Sequence, residues 1–199
     1  MKYENAKYKG DTKKDMRHGE GKLTWKNGDV FEGEFQKDLK HGEGVFKWSN
    51  GDEYIGEFVK DQMEGEGEMV WADGRRYKGS WKAGKFSGHG EYQAKNGDSF
   101  KGEWKDDKQN GQGEMTFGDS GDSYKGEWKA GTMHGEGVYF WKSGDKYKGH
   151  FLNGKFEGTG RFDSSDLNYY EGEWANDQRN GTGFYHFAEK GFYHSCYKG

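Results

Sequence analysis

Apolar and polar positions alternate along this chain in a pattern that recurs about every 23 residues. Counting the opening aromatic of each repeat as position 0, apolar residues or glycines occupy positions 0, 2 and 4, then 11, 13, 15 and 17 in nearly every repeat. Positions 1, 3, 12 and 14 are mostly charged or polar. Alternation with a period of two is typical of strands that have one buried and one exposed face. The pattern predicts two strands per repeat, roughly five and seven residues long.

The segments between these strands predict turns. In the second repeat a five-residue polar turn is predicted over Lys37–His41, and Asn-Gly or Asp-Gly pairs after the second strand predict a tight turn. Each repeat is therefore expected to be a β-hairpin. Two departures stand out: Arg75 replaces the usual aspartate of the closing turn, and residues 163–168 lack its glycine, which predicts a bend or loosening there.

The period defines the organisation of the chain. Successive opening aromatics lie 23 residues apart except for one step of 24, and they are Tyr8, Phe31, Tyr54, Tyr77, Phe100, Tyr124, Tyr147 and Tyr170. So strict a period predicts one supersecondary unit stacked eight times. We expect a polar lead over residues 1–7, an array of eight repeats over 8–192, and either the start of a degenerate ninth repeat or a C-terminal strand over 193–199.

Composition indicates an unusual core. Only 30% of residues are hydrophobic, mean hydropathy is −1.33, and 18% are aromatic, so rings must replace an aliphatic core. Glycines fill positions 2, 11 and 13 of every repeat, although glycine within a strand costs about 0.5–1 kcal/mol relative to alanine. We expect rings to lie over these glycines. The predicted fold is all-β, an elongated, twisted, single-layer antiparallel sheet of tandem hairpins; the absence of proline suits interior strands.

The repeats resemble the MORN repeat, whose pattern is Tyr-x-Gly-x-Trp/Phe, then Gly-x-Gly, an aromatic and Gly-Asp. The sixth repeat matches it at Tyr124–Trp128, Gly135–Gly137 and Trp141–Asp145. The resemblance implies a hairpin scaffold of a kind found in cytoskeletal and ciliary proteins, in junctional membrane tethers, and beside lipid-kinase or methyltransferase domains.

Charge and cysteine content narrow the function classes. The net charge is −4, from 31 basic and 35 acidic residues, which argues against nucleic acid as a main partner. The one cysteine, Cys196, cannot form an internal disulfide, and no apolar run approaches the roughly 20 residues of a membrane span. The first residues lack the apolar stretch of a signal peptide, so a cytoplasmic location is predicted. Association with the cytoskeleton or a cilium is what the resemblance to the MORN repeat implies.

No catalytic or metal-binding motif emerges. His18, His41 and His134 precede Gly-Glu in three separate hairpins, too far apart to share an ion, and they are interpreted as turn residues. The segment 119–122 lacks the remaining acidic positions of a calcium loop. No histidine-based triad surrounds Cys196 in the local sequence. We predict no enzyme activity, no cofactor and no metal.

The aromatic face is the main candidate site. A single sheet has no second layer, so part of this face is predicted to stay open as a groove for a segment of a partner protein. The predicted groove comprises Trp81, Tyr92, Trp104, Trp128, Tyr139, Phe151 and Trp174. Cytoskeletal or ciliary partners are expected from the resemblance, and open terminal strands suggest end-to-end homodimers.

An alternative site lies on the charged face. A basic row there would bind anionic phospholipid headgroups and make the chain a peripheral membrane tether. Its residues are Arg75, Arg76, Lys78, Lys101, Lys125 and Lys148. Glu103 and Glu127, two positions from their lysines, favour a mutually neutralising ladder instead. A third hypothesis is a regulatory array of a larger enzyme.

Overall fold

The computed structural model confirms an all-β chain of tandem antiparallel hairpins. It describes the backbone of residues 2–3, 5–189 and 191–197, and the side chains of residues 5–189; within these ranges there are 18 strands and no helix. The chain forms two compact units, Met1–Lys95 with Trp104–Asp107, and Asn96–Glu103 with Lys108–Gly199. Each unit is a single layer in which every strand pairs with its neighbours in sequence.

The strands fall into the two units as follows. Unit 1 contains β1 (Lys2–Tyr3), β2 (Ala6–Lys13), β3 (Met16–Trp25), β4 (Val30–Gln36), β5 (Leu39–Lys47), β6 (Glu53–Val59), β7 (Gln62–Val70), β8 (Arg76–Lys82) and β9 (Lys85–Gln93). The strand β10 (Ser99–Lys105) contributes residues to both units. Unit 2 contains β11 (Lys108–Thr116), β12 (Ser123–Lys129), β13 (Thr132–Phe140), β14 (Lys146–Leu152), β15 (Lys155–Asp163), β16 (Tyr169–Ala175), β17 (Gln178–Phe187) and β18 (Gly191–Tyr197).

The hairpin turns are shorter than the sequence predicted. Strands β4 and β5 are seven and nine residues long, and only Lys37 and Asp38 lie between them, with φ angles of 53° and 69°. Positive φ at both central residues is the type I′ geometry that matches the twist of paired strands. The predicted five-residue turn is wrong, because a bulge around Gly42, whose φ is 63°, takes up the additional residues within β5.

Glutamate side chains hold these bulges together. Glu103 Oε1 accepts the amide of Gln112 at 2.8 Å, and Glu127 Oε1 accepts the amide of Glu136 at 3.2 Å. A side chain on the bulge glycine Gly135 would collide with the Glu127 carboxylate. Glu103 and Glu127 thus each accept a hydrogen bond from the backbone of a bulge, and the Lys/Glu ladder stays a prediction.

Aspartates of the closing turns link successive repeats. Asp52 Oδ1 accepts the amide of Ala72 at 2.8 Å, and Asp145 Oδ1 accepts the amide of Ser165 at the same distance. Arg75 breaks the series, since its Nε donates to Asp73 Oδ2 at 2.8 Å instead.

The predicted loosening in the seventh repeat is not seen in its closing turn. Ser164 N donates to Asn168 O at 2.8 Å and Leu167 N to Ser164 O at 3.0 Å, the bonds that the glycine-containing turns also make. Leu167 achieves this at a φ of 68° and is 77% exposed. A non-glycine residue in this conformation is strained, so the turn keeps its shape at an energetic cost.

The core lies on one face of the sheet and consists of rings seated on paired glycines. Gly126 and Gly137 face each other on β12 and β13, and the fully buried ring of Tyr124 covers both. A Cβ built on Gly137 would lie 2.5 Å from Tyr124 Cε2 and 2.6 Å from Cζ. The Tyr124 hydroxyl donates to Glu127 O at 3.0 Å. The expectation that rings fill the glycine gaps agrees with this geometry.

Candidate protein-binding surface

Five residues of the predicted groove lie in the core rather than on the surface. The rings at position 4 are 0–7% exposed; they are Trp81, Trp104, Trp128, Phe151 and Trp174. In unit 1, Trp81 lies edge-on to Tyr77 at 5.2 Å and to Tyr54 of the preceding repeat at 5.2 Å. Its Nε1 donates to Gly67 O at 3.2 Å. We call these position-4 residues the inner rings, and their burial leaves little ring surface for a partner.

A second set of rings is only half-buried and borders the core. These outer rings occupy positions 15 and 17. In unit 1 they include Phe46, Trp48, Trp71 and Tyr92, of which Phe46 alone is buried, and in unit 2 Phe117, Tyr139, Trp141 and Phe162. Neighbouring outer rings touch: Phe117 and Tyr139 lie 5.9 Å apart, Tyr139 and Trp141 4.8 Å, and Trp141 and Phe162 5.4 Å. Two residues of the predicted groove, Tyr92 and Tyr139, belong to this set.

Tyr139 is held in place by a carboxylate. Its hydroxyl donates to Asp122 Oδ2 at 3.0 Å, while Asp122 Oδ1 accepts the amide of Lys142 at 2.9 Å. Burial of the ring, together with this hydrogen bond, raises the pKa of Tyr139 to about 12. The aspartate that links two repeats therefore also fixes the orientation of an outer ring.

Position 9 adds a third set of side chains to the aromatic face, and the sequence reasoning missed it. In the fourth and seventh repeats, Phe86 stacks on Tyr77 at 3.7 Å and Phe156 stacks on Tyr147 at 3.8 Å. In the first repeat the Arg17 guanidinium lies 5.1 Å from the Phe35 ring centroid. The sequence feature that could have revealed this set is the kind of residue at position 9, which holds cations, methionine, glutamine or phenylalanine within a segment otherwise typical of a turn.

Lys40 shows how closely position 9 is enclosed. Its Nζ lies 4.9 Å from the Phe46 ring centroid and within 6 Å of Trp25, Phe31 and Phe58. Asp61 Oδ1 lies 3.8 Å away. Burial lowers the pKa of Lys40, and the nearby aspartate opposes that effect. The rings and one carboxylate thus replace water around a cation on the aromatic face.

The predicted basic row on the opposite face is interspersed with other residues. Lys78 lies between Glu68 and Glu91 in the strand register, and Lys125 Nζ is 3.7 Å from Glu114 Oε2. Lys101, in β10, also interacts with another residue. Lys148 is flanked by Val138 and Arg161. The row therefore contains acidic and apolar side chains as well as lysines.

The arginines assigned to the lipid site also have acidic partners. Arg76 Nη2 lies 2.7 Å from Glu68 Oε1, and Arg75 Nε lies 2.8 Å from Asp73 Oδ2. In unit 2 a groove of about 780 Å³ on this face is lined by Lys148, Arg161, Glu136, Glu171, Thr159 and Phe184. Both signs of charge line the groove, so its polar groups favour no anionic ligand.

A family model of the MORN repeat matches the chain eight times. The matched residues are 8–30, 31–53, 54–75, 77–99, 100–121, 124–146, 147–169 and 170–192. The chain belongs to the MORN-repeat family. In this chain, the aromatic and glycine positions of the MORN pattern are thus the positions at which a ring lies over a pair of facing glycines.

Solved structures similar to this chain include domains of CPAP proteins. The TCP10 domain of CPAP from Danio rerio, in complex with a peptide of STIL, is 10% identical with a TM-score of 0.46, covering 91% of this chain and 84% of that one. The TCP domain of SAS-4 (dCPAP) from Drosophila melanogaster, with a proline-rich motif of Ana2 (dSTIL), is 11% identical with a TM-score of 0.41, covering 96% and 90%. No curated protein matches the sequence significantly.

The remaining predictions concern metal ions, membranes, the cysteine and the ends of the array. Among the described side chains, no group of three histidines, cysteines, aspartates or glutamates is arranged to hold a metal ion. The described part of the chain contains no helix long and apolar enough to cross a membrane. The side chain of Cys196 lies outside the described residues. The repeat boundaries at either end, end-to-end dimers, the membrane tether and the regulatory array stay predictions.

Proposed function

We propose that this chain is a non-enzymatic, cytoplasmic interaction scaffold that binds a segment of a partner protein along the outer rings. The observation that carries the proposal is the division of the aromatic face into buried inner rings and half-buried outer rings. Aromatic side chains that are already held in place lose little conformational entropy on binding, which suits them to be anchors for a partner.

The rigidity of the outer rings supports this role. Tyr139 is fixed by Asp122 and packs against Phe117 and Trp141, so a partner would meet a preformed surface. Half-buried rings offer apolar contact area to a partner, and here their contacts with neighbouring rings hold them in position. A cytoskeletal or ciliary assembly is the proposed setting, because MORN-repeat arrays occur in such proteins.

Site-specific photocrosslinking in the native cell tests the proposal. A photoreactive phenylalanine analogue at Tyr139 is expected to capture a protein partner, whereas the same analogue at Lys125, on the charged face of the same strand pair, should not. Substituting Phe117 and Trp141 by serine should reduce capture at position 139 by tenfold or more. Equal capture from both faces, or capture that is insensitive to these substitutions, would refute the proposed surface.

A further inference from the structure

Successive repeats share one backbone contact at the hairpin turn. The residue at position 7, the second of the turn, donates its amide to the carbonyl of position 9 in the preceding repeat, with N···O distances of 2.9–3.2 Å. The pairs are Asp38 to Arg17, Asp61 to Lys40, Gly84 to Met63, Asp107 to Phe86, Gly131 to Gln109, Gly154 to Met133, and Asp177 to Phe156. Seven junctions therefore share this backbone hydrogen bond, whether position 7 is aspartate or glycine. We call the bonded pair of positions 7 and 9 the frame.

Where position 7 is aspartate, its carboxylate completes the frame. Oδ1 accepts the amide of position 9 in the preceding repeat at 2.8–2.9 Å. The four cases are Asp38 with Arg17, Asp61 with Lys40, Asp107 with Phe86, and Asp177 with Phe156. A hydrogen bond from an amide to an ionised carboxylate is stronger than one between neutral groups. The frame is thus a carboxylate-binding site that four junctions fill from within the chain.

Where position 7 is glycine, no such carboxylate is present. In the sixth repeat Lys129 pairs with Thr132 at the end of the hairpin, so the next pair, Trp128 with Met133, is of the non-hydrogen-bonded type and the Met133 amide points outward. Among the described residues, no side chain or turn carbonyl accepts a hydrogen bond from the amides of Met63, Gln109 or Met133. We call these three places the open slots.

The open slots have room for a carboxylate. A Cβ built on Gly84 meets no atom within 4 Å. On Gly154 its nearest neighbour is Thr132 Cγ2 at 3.5 Å, and on Gly131 it is Gln109 Oε1 at 3.4 Å, the end of a flexible side chain. A Cβ at any of these three turn positions would therefore meet no backbone atom within 3.4 Å.

Charge distinguishes the slots. Beside the Met63 slot, Glu64 Oε2 accepts the amide of Ala83 at 2.8 Å and places a negative charge next to any incoming carboxylate. The same position holds Asn110 and His134 beside the other two slots. The turns that face those two amides, residues 130–131 and 153–154, contain no acidic residue, and Lys129 and Lys155 adjoin them. Electrostatics therefore favours the Gln109 and Met133 slots, both in unit 2.

We propose that the amides of Gln109 and Met133 bind two carboxylates of an acidic segment in a partner protein. This inference rests on the proposed function and specifies the chemistry of the partner. The two slots belong to adjacent repeats, two strands apart, or about 9–10 Å. In a polyproline II segment, residues three apart lie on the same side about 9 Å from one another. The matching partner carries Asp or Glu at positions i and i+3.

Fluorescence anisotropy with a labelled peptide tests the inference. The probe contains Asp-Pro-Ala-Asp, and the control peptide replaces both aspartates by asparagine. The parent chain should bind the aspartate peptide at least tenfold more tightly. The double variant Gly131→Asp/Gly154→Asp fills both slots from within, as Asp107 and Asp177 do elsewhere, and should weaken binding at least tenfold. Each single substitution should weaken binding too.

A matched variant controls for the added charge. Gly121→Asp/Gly144→Asp adds the same two carboxylates at positive-φ positions of unit 2 outside the slots, and should bind as the parent does. Filling the slots should also raise the urea midpoint, which shows that the variant is folded. Equal binding of both peptides, unchanged binding by the slot-filled variant, or no anisotropy change up to about 1 mM peptide overturns the inference. If crosslinking at Tyr139 still captures a partner that the slot-filled variant binds normally, the proposed function stands and the carboxylate inference alone fails.

Discussion

The seat of Tyr124 on Gly137 makes a quantitative prediction about stability. The substitution Gly137→Ala keeps an ordinary backbone conformation, but its Cβ would lie 2.5 Å from Tyr124 Cε2, so the ring must leave its site. Removing a buried aromatic side chain from a core costs about 3–5 kcal/mol, and loss of the bond to Glu127 O adds about 1 kcal/mol. We expect Gly137→Ala to destabilise the chain by about 4–6 kcal/mol, measured by urea unfolding with circular dichroism and tryptophan fluorescence.

Two controls distinguish the clash with the Tyr124 ring from the backbone strain that follows when any glycine at positive φ is replaced. Gly144 has a φ of 96° and its built Cβ comes no closer than 3.6 Å to Ser165 Cβ, so Gly144→Ala should cost only the backbone strain of about 1–2 kcal/mol. In the background Tyr124→Ala the seat is already empty, and adding Gly137→Ala should cost less than about 1 kcal/mol. The reasoning fails if Gly144→Ala costs more than Gly137→Ala, or if the Tyr124 and Gly137 effects simply add.

Three further predictions concern the tyrosines and the closing turns. Burial raises the pKa of Tyr54, Tyr77, Tyr124 and Tyr147 above the ordinary value, and that of Tyr139 to about 12. Because the unfolded chain loses these protons at lower pH than the folded chain, the urea midpoint should fall steadily from pH 10 to pH 12. A midpoint that does not change over this range would contradict the prediction. Leu167→Gly should raise the free energy of unfolding by about 1 kcal/mol by removing strain at positive φ, and any loss of stability would contradict this. The pair Asp73→Asn and Arg75→Asp should stabilise by about 1 kcal/mol by providing a carboxylate for the Lys95 amide, as Asp52 does for Ala72; thermal melting that is unchanged or lower would count against this role.

Much of the fold could be predicted because every repeat carries the same pairing of an aromatic residue with glycines. A glycine inside a strand is unfavourable unless something occupies the space of its side chain, and the aromatic at position 0 recurs with the glycines at positions 2 and 13. The strand alternation and this pairing together specify Tyr124 over Gly126 and Gly137.

Turn length could not be predicted from polarity alone. Lys37 and Asp38 adopt positive φ without a glycine, and the bulge at Gly42 then absorbs residues that polarity assigns to a loop. Residues such as Lys40 consequently lie on a strand and point among the rings. A lysine in a polar run gives no indication of this, because only the hairpin register decides which face it occupies.

The division between inner and outer rings also depends on contacts between repeats. Positions 4 and 15 lie on the apolar sides of the two strands of a hairpin and hold similar residues, so alternation places Trp128 and Tyr139 on one face without ranking their burial. Trp128 is buried because its Nε1 reaches Gly113 O of the preceding repeat and its ring meets Tyr124 edge-on. Tyr139 finds its polar partner in a turn aspartate at the margin of the sheet, so its ring stays half-exposed. For these two rings, the place where the polar atom finds its hydrogen bond decides which ring is buried and which borders the surface proposed for a partner, and moving the bond of Tyr139 should move that ring with it.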